Sequence, residues 1–195
     1  MLSGDELIPR LTELYRQIDD QYREIAETIG LTCVGCDGVR CCTVDLMLHT
    51  FMEMHYVRRG FDTLDSELQR EVLIRSRAMK AAKDADPYGE AYRNAVCALN
   101  VEGRCVLYEY RPMICRLAGI PHIIVRPDGR RLKSGGCSQY TEQISQAHSD
   151  VRIDRTHYYR AMAEMEMDMV TSSRRRTVPR TLAETLAEIS ESEAL

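Results

Sequence analysis

The chain has 195 residues, 44% of them hydrophobic, and a formal net charge of −4 at pH 7. This length fits one domain with its own core and a short appendage. An acidic chain with a pI near 5.8 has no overall attraction to nucleic acid or to an anionic membrane, so both are disfavoured as partners. No run of about 18 apolar residues suited to crossing a bilayer occurs, so no membrane contact is expected.

The N-terminal region predicts an amphipathic helix, because apolar residues recur at steps of three and four from Leu7 to Ile29. Ser3 and Glu6 have the spacing of a capping box at its start, and Gly30 is a stop signal at its end. The helix leads directly into Cys33.

Two further helices are predicted before residue 85. Thr43 is the expected cap of the second, which ends at Gly60 and carries Val44, Leu48, Phe51 and His55 on one side. The third is expected from Leu64 to Lys83, with Asp62 or Thr63 as its cap.

Turn signals replace the helical period between residues 85 and 137. Cys105–Tyr108 is a short strand-like run, and Pro127-Asp128-Gly129 predicts a hairpin turn between Ile123–Val125 and Arg131–Leu132. A helix is expected again from Tyr140 to Val170. The predicted fold class is therefore mainly α, a helical scaffold around an irregular cysteine-rich core with a short β-hairpin.

We expect a single cysteine-cluster domain over residues 1–170, with its metal core at about 33–137, followed by a tail over 171–195. The tail begins with the basic run Arg174–Arg176, which is interpreted as a linker rather than a phosphate-binding patch. It continues into an amphipathic segment carrying Leu182, Leu186 and Ile189.

Eight cysteines are the main chemical signal of the sequence. Cys33-x-x-Cys36 is followed closely by the doublet Cys41-Cys42, and the others are Cys97, Cys105, Cys115 and Cys137. Thiolates at two-residue spacing can fold onto one ion, because a short loop with Gly35 inside it lets both sulfurs point at the same centre. Adjacent side chains diverge, so Cys41 and Cys42 indicate two centres or opposite sides of one polynuclear cluster.

Disulfides and inert buried thiols are the alternatives to metal binding. The N-terminal residues show no basic and apolar signal for export, which favours a reducing, cytoplasmic location over a disulfide framework.

Cys33-Val34-Gly35-Cys36, the Cys41-Cys42 doublet and the segment Gly103–Arg116 resemble the YkgJ-type cysteine-cluster family. The last segment carries the pattern Gly-x-Cys-x-x-Tyr-x-x-Arg-Pro-x-x-Cys-Arg. The similarity covers about Cys33 to Cys137, roughly half of the chain. That family is described as a zinc- or iron-chelating domain, and the resemblance implies that all eight cysteines are ligands, without implying a reaction.

Three arginines lie next to predicted ligands in the sequence: Arg104, Arg111 and Arg116. Since a centre with four thiolates is negatively charged, these side chains are candidates for binding it, by donating hydrogen bonds to sulfur or offsetting its charge. Pairing of Arg111 with Glu109 or Asp37 is the alternative.

An iron–sulfur cluster is favoured over zinc as the cofactor, because structural zinc prefers paired Cys-x-x-Cys units and only one is present. His122 is a possible substitute ligand. The expected function is cytoplasmic metal binding for electron transfer, redox sensing or metal handling. The alternatives are a zinc-stapled module that binds a protein partner through its flanking helices, and a cluster-dependent enzyme.

Overall fold

The computed structural model describes residues 3–32, 42, 47–137, 140, 147–148, 150–173 and 180–189. Within these residues the protein is mainly helical with short strands, which confirms the mainly α class and the hairpin, whereas the cysteine-rich metal core stays a prediction. The chain divides into two compact units, Met1–Cys36 with Met113–Arg175, and Asp37–Pro112 with Arg176–Leu195. We refer to them as the first and the second unit.

Helix α1, Gly4–Ile29, opens the first unit as predicted. The Ser3 hydroxyl accepts the Glu6 backbone N–H and the Glu6 carboxylate accepts the Ser3 N–H, which completes the capping box. Gly30 ends the helix in the left-handed conformation with φ 67°. The buried side of α1 includes Leu7, Leu11 and Ile18, each fully enclosed.

Other described elements of the first unit are α5, Met113–Arg116, a small sheet and α6, Thr156–Ser173. Strands β3, His122–Val125, and β4, Arg131–Ser134, form the predicted antiparallel hairpin, and β5, Ile153–Asp154, lies parallel to β3 on its other side. Helix α1 packs against both α5 and α6.

The predicted helix from Tyr140 to Val170 is interrupted. Tyr140 is helical and residues 141–146 lie outside the described residues, but Ile153 and Asp154 are extended, and α6 begins at Thr156. The Ile153 N–H donates to the Pro121 carbonyl at 2.9 Å, so this segment is held by a neighbouring strand. The Asp154 carboxylate accepts the Thr156 N–H at 2.9 Å, as an N-cap does.

The second unit contains α2, Phe51–Phe61, α3, Ser66–Ala85, and α4, Glu90–Arg93. Strands β1, Asn100–Val101, and β2, Arg104–Cys105, form a two-residue hairpin that leads into a 3₁₀ helix, Tyr108–Tyr110. Of the predicted strand from Cys105 to Tyr108, only Cys105 lies in a strand, at the end of β2. Helix α7, Leu182–Ala187, lies against α3 and α2.

Two predicted helix caps are wrong. Helix α2 begins after Thr50, whose hydroxyl accepts the Glu53 N–H in a complete capping box; Thr43 and Val44 lie outside the described residues, and Leu48 precedes the helix. Gly60 lies inside α2, which ends at Phe61. Helix α3 begins after Asp65, whose carboxylate accepts two backbone N–H groups, whereas Asp62 ends α2.

The core of the second unit joins its helices to the hairpin. It is built from Met54, Val57, Phe61, Val72, Leu73, Leu99, Leu107, Leu182, Leu186 and Ile189. Leu182, Leu186 and Ile189 of the predicted tail are therefore core residues of this unit. Among the described helices, none has the length and apolar character needed to cross a membrane.

Candidate metal centre

Three predicted ligands lie together in the second unit. The Cys97 N–H donates to the Cys42 carbonyl at 2.6 Å, and the Cys97 carbonyl accepts the Asn100 N–H at 2.9 Å. Asn100 faces Cys105 across the β1–β2 hairpin. Local backbone pairing therefore brings Cys42, Cys97 and Cys105 to the same region.

The surroundings of the Cys105 sulfur act on its pKa in both directions, with a net increase. Burial is the largest influence and raises the pKa of its thiol, and the nearby Cys42 thiol raises it as well. The Leu107 backbone N–H, which donates to the sulfur, and the charge of Arg111 both lower that pKa. Cys97 and Cys105 also pack against the apolar core. Without a metal the Cys105 thiol is thus protonated at neutral pH, and metal binding must release its proton.

The first unit positions Cys137 by backbone hydrogen bonds. Its N–H donates to the Gly119 carbonyl at 2.9 Å, and its Sγ accepts the Tyr140 N–H at 3.4 Å. A Cβ on Gly136 would lie 2.5 Å from the Gly119 oxygen, so this close approach requires glycine. Cys115, the other described cysteine of the first unit, lies on α5 and is exposed.

None of the five described cysteines forms a disulfide with another of them. Cys33, Cys36 and Cys41 lie outside the described residues. Across the residues that are described, no three His, Cys, Asp or Glu side chains are arranged to hold one ion. The eight-cysteine ligand set therefore stays a prediction.

The three predicted arginines have different environments. Arg111 lies over the Tyr108 ring at 3.8 Å, donates to the Tyr108 carbonyl at 2.8 Å and acts electrostatically on Cys105. Arg104 is exposed on β2. Arg116 is buried, forms an ion pair with Asp19 and lies 4.2 Å above the Tyr15 ring.

Sequence reasoning missed Arg155, which is only 2% exposed in the first unit. Its Nη2 donates to the Leu117 carbonyl, and the Tyr159 side chain is a second partner. Its Nε and Nη1 are buried without a hydrogen-bond partner among the described residues, where no carboxylate pairs with it either. Burial lowers the pKa of this guanidinium.

An unpaired buried charge is costly by several kcal/mol. No signal in the sequence identifies Arg155, because it lies within a stretch interpreted as an ordinary amphipathic helix.

His122, the possible substitute ligand, lies on β3 close to Arg155. Burial, and to a smaller extent the charge of Arg155, together lower the pKa of its imidazole to about 4. Its Nδ1 is buried with no hydrogen-bond partner within the described segments. The ring is therefore neutral at pH 7, the form in which histidine binds metals.

An open groove of about 430 Å³ lies between α1 and α6 of the first unit. Its described lining is Pro9, Arg10, Glu13, Leu14, Gln17, Ala161 and Met165, without a cysteine.

No family model matches the chain, and no curated protein or solved structure is significantly similar to it.

Proposed function

We propose that this protein binds metal through cysteine thiolates, as iron–sulfur clusters or zinc. The observation that carries the proposal is that one cysteine sulfur in each unit accepts a backbone N–H, Cys105 from Leu107 and Cys137 from Tyr140. Such N–H groups stabilise the thiolate form, which is the form that binds metal.

The distribution of cysteines between the units supports one centre in each. Cys115 and Cys137 belong to the first unit, and Cys33 follows Thr32, the last described residue after α1. Cys42, Cys97 and Cys105 belong to the second unit, and Cys41 adjoins Cys42. Assigning Cys33 and Cys36 to the first centre and Cys41 to the second provides four thiolates for each, the number that a tetrahedral ion or a [4Fe–4S] cluster needs.

This assignment bears on the metal. Cys41 and Cys42 would serve one centre although their side chains diverge, which a polynuclear cluster accommodates better than a lone ion. Irregular spacing favours iron–sulfur as well. Arg111 supports the same centre, since its charge acts on Cys105. Electron transfer, redox sensing and metal handling in the cytoplasm are the functions consistent with such centres, and the resemblance to the YkgJ-type family supports the same class.

The test is anaerobic purification followed by metal and acid-labile sulfide analysis. We expect stoichiometric iron with sulfide, or zinc, and a visible spectrum bleached by dithionite if iron is bound. Cys105→Ser and Cys115→Ser should each remove the metal of one unit, about half of the total, and each variant is the control for the other. Metal-free protein with all eight thiols titratable in the native state would overturn the proposal.

A zinc-stapled interaction module is the second candidate. The groove between α1 and α6 favours it, because an apolar floor from Leu14 and Met165 with the charged residues Arg10 and Glu13 suits a peptide or helix of a protein partner. Stoichiometric zinc, no sulfide and no redox-dependent spectrum would favour this candidate over the first.

A further inference from the structure

We propose that strand β4 is a docking edge for an extended, acidic segment of a partner protein. The segment adds to the sheet as a further strand beside β4, with its carboxylates next to the basic side chains of the hairpin. This inference goes beyond the proposed metal binding and does not depend on it.

Strand β4 lies at one edge of the three-stranded sheet. The strand order is β4-β3-β5, so β3 covers one side of β4, and no strand among the described residues covers the other. All four residues of β4, Arg131–Ser134, are exposed. An edge strand presents a row of backbone N–H and C=O groups that can pair with another chain.

The register shows which backbone groups of β4 point outward. In an antiparallel pair of strands, only every second pair of facing residues exchanges hydrogen bonds, and the backbone groups of the other pairs point away from the partner strand. The Arg126 N–H donates to the Arg130 carbonyl at 2.9 Å, so these two residues form a hydrogen-bonded pair. By this alternation, the backbone groups of Arg131 and Lys133 point away from β3.

The opposite residues on β3 support this direction. Val125 faces Arg131 and Ile123 faces Lys133. The Ile123 carbonyl accepts the N–H of Arg155, which follows β5, at 2.9 Å. Because β3 uses this carbonyl on its β5 side, the backbone groups of Lys133 point to the opposite side of the hairpin, outside the sheet.

The hairpin is basic although the chain as a whole is acidic. Between residues 122 and 134 it has four basic residues, Arg126, Arg130, Arg131 and Lys133. Asp128 is the single acid of this segment and forms ion pairs with the two arginines nearest the turn. Arg131 acts electrostatically on Asp154 of β5, but neither it nor Lys133 forms an ion pair within the described part of the chain. Carboxylates of a partner complement these two charges.

The two faces of β4 define the side chains that fit beside it. Side chains alternate along a strand, so Arg131 and Lys133 share one face, whereas Leu132, 49% exposed, lies on the other. Residues directly opposite on a neighbouring strand interact side by side. The matching segment therefore alternates acidic and apolar residues, with carboxylates beside the two cations and an apolar side chain beside Leu132.

A second copy of this chain is a poor occupant of the edge. Two β4 strands would bring the same basic residues against each other, and like charges directly opposite destabilise a strand pair. Nucleic acid can meet the charges, but it offers no strand of backbone N–H and C=O groups to pair with the edge. An acidic peptide strand satisfies both features.

The probe is a peptide with blocked ends, Thr-Glu-Val-Glu-Val-Glu-Thr, titrated into the full chain and followed by NMR chemical shifts. A peptide of the same composition with grouped residues, Thr-Val-Val-Glu-Glu-Glu-Thr, is the control. We expect saturable binding of the alternating peptide below about 1 mM, shifts centred on β4, and weakening at high salt. The grouped peptide should bind about 5-fold more weakly or not at all.

Two variants of Lys133 separate its charge from its backbone. Lys133→Ala and Lys133→Pro both remove the ammonium group, but only proline removes the outward N–H, which makes no bond within the sheet and is therefore dispensable for the fold. We expect Lys133→Ala to weaken peptide binding about 2- to 5-fold. Lys133→Pro should weaken it by about 2- to 10-fold more.

Charge reversal tests the location of the site. Arg131→Glu should weaken binding about 10-fold or more, because it places like charges side by side. Arg160→Glu makes the same change at an exposed position of α6 and should bind the peptide as wild type does.

Several results would overturn the inference. Equal binding by Lys133→Ala and Lys133→Pro, or equal binding of the two peptides, would show that charge alone attracts the peptide. Equal losses in Arg131→Glu and Arg160→Glu would show attraction without a site, and preference for an oligothymidylate over the peptide would assign the edge to nucleic acid. If circular dichroism shows that Lys133→Pro is unfolded, methylation of the peptide nitrogens that face β4 replaces it, and unchanged binding of the methylated peptide would exclude strand pairing.

Discussion

At the scale of single residues, identical side chains have different roles because their surroundings differ. Arg111 is close enough to Cys105 to lower the pKa of its thiol, whereas Arg116 is buried against Asp19 and Tyr15 of α1. Among the described residues, no carboxylate forms an ion pair with Arg155, and its Nε and Nη1 have no hydrogen-bond partner. Sequence proximity to a cysteine selected Arg104, Arg111 and Arg116 as candidates, but it carries no information on which charges are buried or paired.

His122 should make the stability of the first unit depend on pH. Its folded pKa is about 4 against an ordinary 6.5, so the unfolded chain binds the proton more readily. Stability is complete above pH 6.5 and is lost as the pH falls towards 4. The shift corresponds to at most about 3 kcal/mol, which partial solvent screening reduces to about 1 kcal/mol.

The measurement is the urea midpoint between pH 7.5 and 4 for wild type and His122→Leu, which cannot take up a proton. As the pH falls from 7.5 to 4, the urea midpoint of wild type should decrease more steeply than that of His122→Leu. Parallel profiles would show that the imidazole is not desolvated.

At the scale of elements, close packing decides which residues are permitted. Gly60 lies inside α2, and a Cβ there would lie 2.3 Å from Cγ of Tyr110 in the 3₁₀ helix. Tyr110 also stacks on Tyr56 of α2 with ring centroids 5.0 Å apart. The glycine interpreted as a helix stop is therefore required by a helix-to-helix contact.

We expect Gly60→Ala to destabilise the protein although alanine is the better helix former. The propensity gain is about 1 kcal/mol, while overpacking costs about 1–3 kcal/mol, so the net loss should be about 1 kcal/mol. Chemical denaturation measures it. Tyr110→Ala removes the ring that obstructs the new methyl group. The double variant should therefore lose less unfolding free energy than the sum of the two single losses. Additive losses would contradict the contact between Gly60 and Tyr110.

At the scale of the whole molecule, chain order and spatial grouping differ. The second unit combines residues from the middle of the sequence with the C-terminal helix α7, and the first combines α1 with the segment from α5 to α6. Each unit also receives part of the cysteine set. In the proposed function, each unit therefore holds its own centre.

Leu186→Ala should test whether α7 stabilises the second unit selectively. Leu186 is fully buried in that core, so truncation should cost about 2–5 kcal/mol. Hydrogen exchange should accelerate in α2 and α3 and remain slow in α1 and α6. Met167→Ala, at a 61% exposed position of α6, is the control and should change little; equal acceleration in α1 would show that the units do not open separately.

The sequence alone was sufficient for features governed by neighbours a few residues apart. The capping box of Ser3 and Glu6, the stop at Gly30 and the β3–β4 hairpin were predicted correctly, since each depends on local hydrogen bonds and turn residues. The predicted N-caps of α2 and α3 were wrong because Thr50 and Asp65, which cap these helices, lie within a few residues of the predicted Thr43 and Asp62 or Thr63 and have the same capping chemistry.

The tertiary structure decided what depends on contacts between distant residues. The strand at Ile153 forms because its backbone N–H donates a hydrogen bond to the Pro121 carbonyl. A backbone hydrogen bond also joins Cys97 to Cys42, which lies more than 50 residues earlier in the chain. Burial of Arg155 likewise results from packing against the segment after Cys115. The prediction of metal binding depends on cysteine spacing alone, because the chemical type of a side chain is a property of the residue, whereas the packing of the chain decides which of the described cysteines and arginines lie close together.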